Sequence, residues 1–342
     1  MSGSIEWSVS ATGKERQNAL GYAASNIALR KHIGRRIEIR DGAPVTVSYC
    51  YPKLFVPRPG AFNVLFTMYE SDKLDRNFAP AFEKADLILT PSEWCAEVFR
   101  GSTDKPVEVV PLGVDLSLFR YKRRRPKRGD RLRFLYVGAP NPRKMTILGE
   151  LHLALFKKIP NVELYMKTTG ARWDEASLAD TLSNDPSAEI IEDGLIRGDQ
   201  WTLDNRYLPS ADLVSLYHSA HAFLHLHCGE GWGLTSLEAM ATGLAPIVTD
   251  WSGTRDFANR KNAFLVDANY KSIDCEDGEG RPIEQWVGWP DPAAAMVHIC
   301  EIVKDYRQST LRGKAAAECA KRFSWEASAK RFCDVLRSYG VA

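Results

Sequence analysis

The sequence predicts an α/β protein with two Rossmann-like, parallel-sheet domains that face each other across a cleft. The chain has 342 residues, which corresponds to about two domains of ~150 residues each. Apolar, β-branched runs alternate with amphipathic stretches along most of it, as in strands joined by crossover helices. Hydrophobic residues make up 44 % of the chain and charged residues 26 %. This composition excludes disordered, collagen-like and coiled-coil proteins.

The first domain is predicted over residues 1–120, where short apolar runs recur. A helix is expected over Asn18–Ile33. Ser92 is expected to cap a second helix that ends near Arg100, because a serine side chain can accept a hydrogen bond from a first-turn amide. The strands are predicted at 4–10, Val45–Tyr49, Asn63–Met68, Asp86–Thr90 and Val107–Val110.

A basic segment over residues 121–133 is the best candidate for a linker between the domains. It reads YKRRRPKRGDRLR, with eight lysines and arginines against one acid, and it lacks apolar periodicity. Three interpretations remain open: a solvated linker, a contact for anionic membrane lipids and a contact for nucleic acid. A polyanion contact through this segment is therefore one prediction.

The second domain is predicted over 134–322, followed by a C-terminal helix over 323–342. Ligands of open parallel sheets bind at the carboxyl ends of the strands, so a site is expected in the loops that follow them. Strands are predicted at 131–138, Val162–Lys167, Ala222–Leu226 and Ala245–Thr249, and helices at Lys144–Lys158, Pro209–Ser219 and Leu234–Thr242.

The cysteines and the lengths of the apolar runs indicate the cellular compartment. The seven cysteines are scattered and form no C-x-x-C pair, which favours reduced thiols over a disulfide framework. No apolar run approaches the ~18 residues of a membrane span, and the first residues do not resemble a signal peptide. We therefore expect a cytoplasmic protein, with peripheral contact to a membrane as an option for the basic segment.

The most informative motif follows the strand that ends near Leu226. A glycine-rich turn over 229–233 (GEGWG) leads into a helix that carries Glu238 one turn from its start. Glycines let a backbone approach a ligand closely, and the amides at a helix N-terminus bind anions such as phosphate. These features are typical of nucleotide-binding α/β proteins.

A dinucleotide-binding dehydrogenase fits this motif poorly. Its G-x-G-x-x-G fingerprint requires a third glycine where this chain has Leu234, and Glu230 would repel a pyrophosphate. Carboxylates instead accept hydrogen bonds from sugar hydroxyls. Two glutamates on either side of a helix N-terminus could hold a ribose and a hexose with a diphosphate between them, and that ligand is a nucleotide sugar.

The run Gly-Glu-Gly-Trp-Gly-Leu-x-x-Leu-Glu-Ala-Met-Ala-x-Gly resembles the Glu-x7-Glu signature of retaining glycosyltransferases of the GT-B fold, family 4 type. The similarity extends over about 85–335. It includes ADLILTPS (85–92), VVPLGVD (109–115), FLYVGAPNPRK (134–144) and SGTRDF (252–257). The resemblance implies two domains across a cleft, with the C-terminal helices packing back toward the first domain and the nucleotide sugar held by the second.

The resemblance also implies roles for individual residues. Lys144 is expected to bind the donor diphosphate, and Glu238 the ribose hydroxyls. Glu230 is expected to hold the transferred sugar near its anomeric carbon. The main-chain amides expected to meet the phosphates or the sugar belong to Gly231, Trp232, Gly233, Leu234 and Thr235.

Two departures from the family pattern matter. Ala139 occupies the place where the family often has an arginine, so Arg143 is the candidate for the second cation. The histidine that the family usually carries in its first domain is not evident. Glu70 or Asp72 is expected to take that place and to face the acceptor.

Three histidines, His221, His225 and His227, alternate along one predicted strand and raise the alternative of a metal site. Strand alternation more often reflects one partly buried face, and the GT-B enzymes that this chain resembles need no bound metal. We therefore expect no metal and no separate cofactor, with the nucleotide sugar as a co-substrate.

The expected function is the metal-independent transfer of a hexose from a UDP- or GDP-sugar to an acceptor hydroxyl, with retention of anomeric configuration. The acceptor stays open among a glycan, a lipid-linked glycan, a small molecule and a modified base in DNA. Two alternatives on the same fold are a nucleotide-sugar epimerase and a catalytically silent binding module.

Overall fold

The computed structural model describes residues 4–8, 20–76, 78–127, 129–139, 156, 159–168, 185, 187–192, 194–276 and 282–341. Its strands form two large sheets and one long hairpin. The glycine-rich motif and the predicted carboxylates Glu70, Asp72, Glu230 and Glu238 lie within the described residues. Lys144, Arg143 and the predicted helix Lys144–Lys158 lie outside them, except for Phe156.

The first sheet is entirely parallel, with strand order β2-β1-β3-β4-β5-β6. Its central strands are apolar along their whole length because helices cover both faces of a parallel sheet. The strands are β1 Ser4–Ser8, β2 Glu38–Ile39, β3 Val45–Tyr49, β4 Phe62–Phe66, β5 Leu87–Thr90 and β6 Val107–Val109. The helices are α1 Leu20–Ile33, α2 Phe78–Lys84 and α3 Glu93–Arg100, with a 3-10 turn at Pro52–Leu54. Ser92 caps α3 as predicted, and its hydroxyl accepts from the Cys95 amide at 3.2 Å.

The second sheet has the strand order β14-β13-β12-β7-β8-β11-β10-β9, and its last two pairings are antiparallel. Its strands are β7 Leu132–Val137, β8 Val162–Lys167, β9 Glu189–Glu192, β10 Leu195–Arg197, β11 Trp201–Asp204, β12 Ala222–His225, β13 Pro246–Thr249 and β14 Phe264–Val266. The helices that follow are α4 Ser210–Ser219, α5 Leu234–Ala241, α6 Pro292–Lys304, α7 Arg307–Ala320 and α8 Trp325–Ser338, with a 3-10 turn at Ser252–Asp256.

Helix α8 returns to the first sheet. It packs on α1, and the ring of Phe332 lies 5.8 Å from that of Trp7 on β1. The Val114 amide donates to the Phe323 carbonyl at 2.8 Å, and Arg331 donates to the Val109 carbonyl at 3.0 Å. The end of the chain thus completes the apolar core of the first sheet.

The basic segment is an extended stretch that packs on the second sheet's helices. Arg124 within it is buried, and its guanidinium donates to the carbonyls of Ala220 at 2.9 Å and Tyr217 at 2.8 Å and to the Thr242 carbonyl. These carbonyls lie at the C-terminal ends of α4 and α5, where a cation is favourable. Arg124 therefore joins two helix ends and is not available to an external polyanion.

The hairpin follows β14 and consists of β15 Ala268–Glu276 and β16 Pro282–Pro290. It was not among the elements predicted from the sequence. Its Gly288 amide donates to the Cys228 carbonyl at 3.0 Å, which ties it to the glycine-rich loop. Along the same strand, Ser71 donates to the Trp286 carbonyl at 3.1 Å, and Lys73 pairs with Glu284 at 3.2 Å. The hairpin therefore bridges the second sheet to the loop that follows β4 of the first.

Candidate functional site

The glycine-rich loop lies at the carboxyl end of β12, where a ligand of a parallel sheet is expected. Gly233 begins α5 with φ +94°, a left-handed conformation that side chains other than glycine's rarely adopt. Gly253 has no room for a side chain, since a Cβ there would lie 2.3 Å from the Gly231 carbonyl oxygen. Close backbone approach thus fixes the loop.

Glu230 is held in the loop by contacts on its main chain and its side chain. Its amide donates to the Ser252 hydroxyl at 2.9 Å, and its carbonyl accepts from the Gly253 amide at 2.9 Å. Its Oε1 lies 3.3 Å from Nε2 of the buried His225. The Nδ1 of that histidine lies 2.7 Å from the Ser236 hydroxyl. His225 therefore lies beside the Glu230 carboxylate, a proximity that strand alternation alone does not reveal.

Glu238 lies on α5, whereas Glu230 lies in the loop before this helix. Its carboxylate accepts a hydrogen bond from the Tyr217 hydroxyl at 2.8 Å. Burial raises the pKa of this carboxyl to about 7, and the bond from Tyr217 opposes the rise. A carboxylate held this way is poised to gain hydrogen-bond donors, such as the hydroxyls of a sugar.

The amides between the two glutamates belong to the start of α5. Leu234 and Thr235 occupy the first helical turn, where an amide has no carbonyl partner within the helix. The Trp232 side chain is 1 % exposed and packs between Phe257 and Phe323, so it belongs to the core. Only its main chain is placed to meet a ligand.

The loop after β4 forms the opposite wall of the site. A Cβ at Gly229 would lie 1.9 Å from the Glu70 carbonyl oxygen, and one at Gly231 would lie 2.9 Å from Cβ of Met68. The glycines of the motif thus let two loops from different sheets meet at backbone distance. The Asp72 carboxylate accepts from the Tyr270 hydroxyl of the hairpin. Burial raises the pKa of Asp72, while its own and the next amide and Lys73 lower it.

A second contact joins the two halves of the molecule near the site. Asp256 is the last residue of the 3-10 turn, and its carboxylate accepts from the Glu93 amide at 2.9 Å, at the N-terminus of α3. Burial raises the pKa of Asp256 to about 6; the Glu93 amide opposes this, and the nearby Glu93 and Glu97 charges add to it.

The three histidines of the alternative metal site have separate protein partners. Nδ1 of His221 accepts from the Arg133 amide at 3.0 Å, and Nε2 of His227 lies 3.1 Å from the Thr254 hydroxyl. His225 lies between Ser236 and Glu230 as described above. The described residues contain no group of three or more histidine, cysteine, aspartate or glutamate side chains that could hold a metal ion. Nor do they include a helix long and apolar enough to cross a membrane.

Comparison with known proteins identifies similarities of sequence and of fold. Residues 205–277 match the family described as glycosyl transferases group 1. A D-inositol 3-phosphate glycosyltransferase of Corynebacterium urealyticum is 28 % identical over 131 residues, a match that spans 38 % of this chain and 26 % of that protein's length.

Two solved structures resemble nearly the whole chain. The HepE protein of Anabaena, in complex with UDP and glucose, aligns with a TM-score of 0.70 at 13 % identity, over 98 % of this chain and 100 % of that one. Sucrose-phosphate synthase from Thermosynechococcus elongatus aligns with a TM-score of 0.63 at 17 % identity, over 97 % of this chain and 80 % of that one. The chain therefore has the predicted GT-B fold, and the predicted resemblance to group 1 glycosyltransferases is confirmed.

Proposed function

We propose that this protein is a glycosyltransferase that moves a hexose from a nucleotide-diphospho-sugar to an acceptor hydroxyl, with retention of configuration and without a metal ion. One observation carries the proposal. Glu230 and Glu238 lie on either side of a helix N-terminus, and the glycine-rich loop brings that helix end against the other sheet's β4 loop. Hydroxyl-binding carboxylates with anion-binding amides between them fit a nucleotide sugar.

Each residue has a defined task in this proposal. Glu238 accepts hydrogen bonds from the ribose hydroxyls. The first-turn amides of α5 meet the diphosphate, together with Lys144 and Arg143, which the family resemblance assigns and which lie outside the described residues. These groups stabilise the charge that develops on the leaving diphosphate, a form of electrostatic preorganisation.

Glu230 acts at the transferred sugar. Its main chain is bonded to Ser252 and its carboxylate lies 3.3 Å from the His225 imidazole. In the proposed reaction this carboxylate stands beside an anomeric carbon that gains positive charge as its bond to the leaving phosphate oxygen breaks. The acceptor oxygen forms the new bond on the same face, and its proton passes to the leaving phosphate. The contacts between the two loops exclude water and so limit hydrolysis.

The donor to test first is a UDP-sugar. HepE was solved with UDP and glucose, and the structure of TarM from S. aureus, which also resembles this chain (TM-score 0.61, 11 % identity), contains UDP. GDP-sugars are the second candidate. Transfer to a modified base in DNA and epimerisation of the nucleotide sugar are the alternative reactions of the same site.

A thermal-shift panel of UDP-, GDP- and ADP-glucose tests donor binding. A ligand at 100 times its Kd stabilises a protein by ~2.7 kcal/mol, which is a visible rise in melting temperature. Glu238→Ala should weaken binding of the stabilising nucleotide by ~1–3 kcal/mol, because charge-assisted hydrogen bonds are lost. The matched control is Glu318→Ala, an exposed glutamate on α7. Equal affinity of Glu238→Ala and the control would contradict the ribose role.

Glu230→Gln tests the second carboxylate, since it keeps the shape and removes the charge. We expect a large loss of turnover with an almost unchanged affinity for the free nucleoside diphosphate, because this residue contacts only the sugar. Turnover at the unmodified protein's rate would show that another group stabilises the anomeric centre.

Chelation tests the metal-free mechanism. We expect turnover in excess EDTA to equal turnover without it, because amides and cationic side chains supply the positive field around the diphosphate. Activity that disappears in EDTA and returns with Mn²⁺ or Mg²⁺ would overturn this part of the proposal.

A further inference from the structure

An aromatic platform lies on one face of the hairpin, beside the glycine-rich loop. In the strand register Tyr270 pairs with Gly288 and Ser272 with Trp286, so Tyr270 and Trp286 project from the same face. Their ring centroids are 4.9 Å apart at an interplanar angle of 30°. The Trp251 ring covers Gly288 on that face, since a Cβ added to Gly288 would lie 2.3 Å from this ring. The ring centroids of Trp251 and Tyr270 are 5.5 Å apart. We call Trp251, Tyr270 and Trp286 the aromatic platform.

Polar groups of the first sheet's β4 loop border the aromatic platform. The Tyr270 hydroxyl donates to Asp72. The Lys73 ammonium lies 5.1 Å from the centroid of the Trp286 ring and pairs with Glu284 at 3.2 Å. The platform thus lies where the two halves of the molecule meet, with one carboxylate from the first half and three rings from the second.

Three buried polar atoms at the platform have no hydrogen-bond partner among the residues that the structure describes. They are the acceptor Oδ1 of Asp72 and the donors Nε1 of Trp251 and Nε1 of Trp286. A buried polar atom without a partner has a cost that a bound group can remove. Tyr270 contacts Asp72 and Trp251 and is 50 % exposed, so an incoming ligand can displace its hydroxyl from Asp72.

We infer that the aromatic platform and Asp72 bind the acceptor, and that the acceptor is a sugar whose apolar face packs against the exposed Tyr270 ring. A pyranose has an apolar C–H face that matches an aromatic ring and hydroxyls that both donate and accept. One hydroxyl can donate to Asp72 while another accepts from the Trp251 indole. An acyl chain would satisfy neither atom, and a phosphate would be repelled by Asp72 and Glu284. The inference rests on the proposed function and names its acceptor class.

The platform's position agrees with this role. Ser252, the residue after Trp251, accepts the Glu230 amide, and Gly288 is bonded to Cys228, two residues before Glu230. Asp72 follows Glu70, whose carbonyl touches Gly229. A sugar on the platform therefore lies next to the loop that holds the donor's hexose.

The experiment measures sugar binding to the full chain with the donor site filled by UDP. The probes are methyl glycosides of glucose, galactose, mannose and N-acetylglucosamine, and the readouts are saturation-transfer NMR and tryptophan fluorescence. We expect at least one glycoside to bind, and Tyr270→Ala to weaken it about tenfold, the factor that corresponds to one lost ring contact. Tyr270→Phe keeps the ring and should retain more affinity than Tyr270→Ala. The matched control is Tyr121→Ala, a tyrosine of similar exposure, 47 %, outside the platform.

The outcomes separate the platform from the proposed function. Circular dichroism and the melting temperature show whether each variant is folded, and UDP affinity is measured in the same samples. If no nucleotide stabilises the protein, the proposed function fails. If UDP binds but no glycoside does, or if Tyr270→Ala binds the glycoside as well as the control does, the platform inference alone is overturned. Binding of free nucleosides in place of glycosides would also overturn it, in favour of a base as acceptor.

Discussion

At the scale of single residues, the most informative group is the Glu238 carboxyl, whose pKa burial raises to about 7. Near neutral pH it is therefore divided between its neutral and its ionised form. The ribose hydroxyls of the proposed donor need the ionised form as their acceptor. Donor binding should thus be linked to the loss of a proton.

We expect affinity for UDP-glucose to fall as the pH drops below about 7, and Glu238→Gln to show a flatter profile. The ligand for this titration is UDP-glucose and not UDP, because the diphosphate of UDP-glucose is esterified at both ends and does not titrate near neutrality. Calorimetry in two buffers of different ionisation enthalpy measures the released proton directly. A wild-type affinity that is constant between pH 6 and 8, ~1 unit either side of this pKa, would contradict the linkage.

The position of Glu230 and Glu238 on either side of a helix N-terminus could be predicted from the sequence, because the spacing of the motif is local. Their supporting contacts could not. Ser252 reaches Glu230 only because β12 and β13 lie side by side, and Tyr217 reaches Glu238 only because α4 and α5 come together. Strand alternation predicts His225 as a metal ligand or a core residue, and it does not show that a glutamate five residues later lies against the imidazole.

At the scale of elements, the glycine-rich loop depends on a contact that leaves no room for a side chain. In Gly229→Ala the new Cβ would lie 1.9 Å from the Glu70 carbonyl oxygen, so the loop must move away from the first sheet. We expect ~1–3 kcal/mol of destabilisation, the usual cost of overpacking, measured by denaturant unfolding. Gly101→Ala is the control, because its nearest neighbour would lie at an ordinary 3.5 Å. Equal stability of the two variants would refute the tight approach.

The basic segment separates into one structural arginine and several exposed cations. Arg124→Ala should destabilise the protein by ~1–3 kcal/mol, because it removes the guanidinium that joins the carbonyls of Ala220, Tyr217 and Thr242 and leaves the buried Ala220 carbonyl without this donor. Arg125→Ala, at an exposed neighbouring position, should change stability by less than ~0.5 kcal/mol. Thermal and urea unfolding of the two variants measure the difference, and similar values would show that Arg124 is not a structural anchor.

Polyanion binding by this segment stays a prediction, and the structure defines which variant tests it. Arg123, Arg125 and Lys127 line a cavity of about 880 Å³ together with Lys304 and Arg307. Replacing the first three by serine, with Arg124 retained, should abolish salt-sensitive binding to duplex DNA, single-stranded DNA or anionic vesicles. A protein that binds none of the three at low salt would leave the segment as a solvated connector.

The sequence predicted the central strands of both sheets within one or two residues, because buried parallel strands are continuous apolar runs. The hairpin was not predicted. β15 is largely polar, with Lys271, Ser272 and Asp274, and it gives neither a clean alternation nor a two-residue turn signal. Its aromatic residues are explained by tertiary neighbours, the Trp251 ring and the Asp72 loop, which lie far away along the chain.

At the scale of the whole molecule, Glu238 and Asp256 both have carboxyl pKa values raised by burial, to about 7 and about 6. Their unfolded values are near 4.5 and 3.8. Between these limits the folded protein binds more protons than the unfolded chain, so the free energy of unfolding rises as the pH falls. We expect these two carboxyls to make the ligand-free protein more stable at pH 5.5 than at pH 7.5. His221 acts in the opposite direction, because burial lowers its pKa. The Glu238→Gln, Asp256→Asn double variant should show a smaller dependence, and stability that rises with pH over this window in both proteins would contradict the assignment.

The return of α8 to the first sheet has a consequence for how the protein is made. Trp7 is synthesised before every strand of the second sheet, whereas its core neighbour Phe332 is synthesised after all of them. Part of the first sheet's core therefore stays uncovered until the second sheet has left the ribosome. A nascent chain arrested before α8 should keep the first sheet sensitive to protease, and extension through Ser338 should protect both halves together.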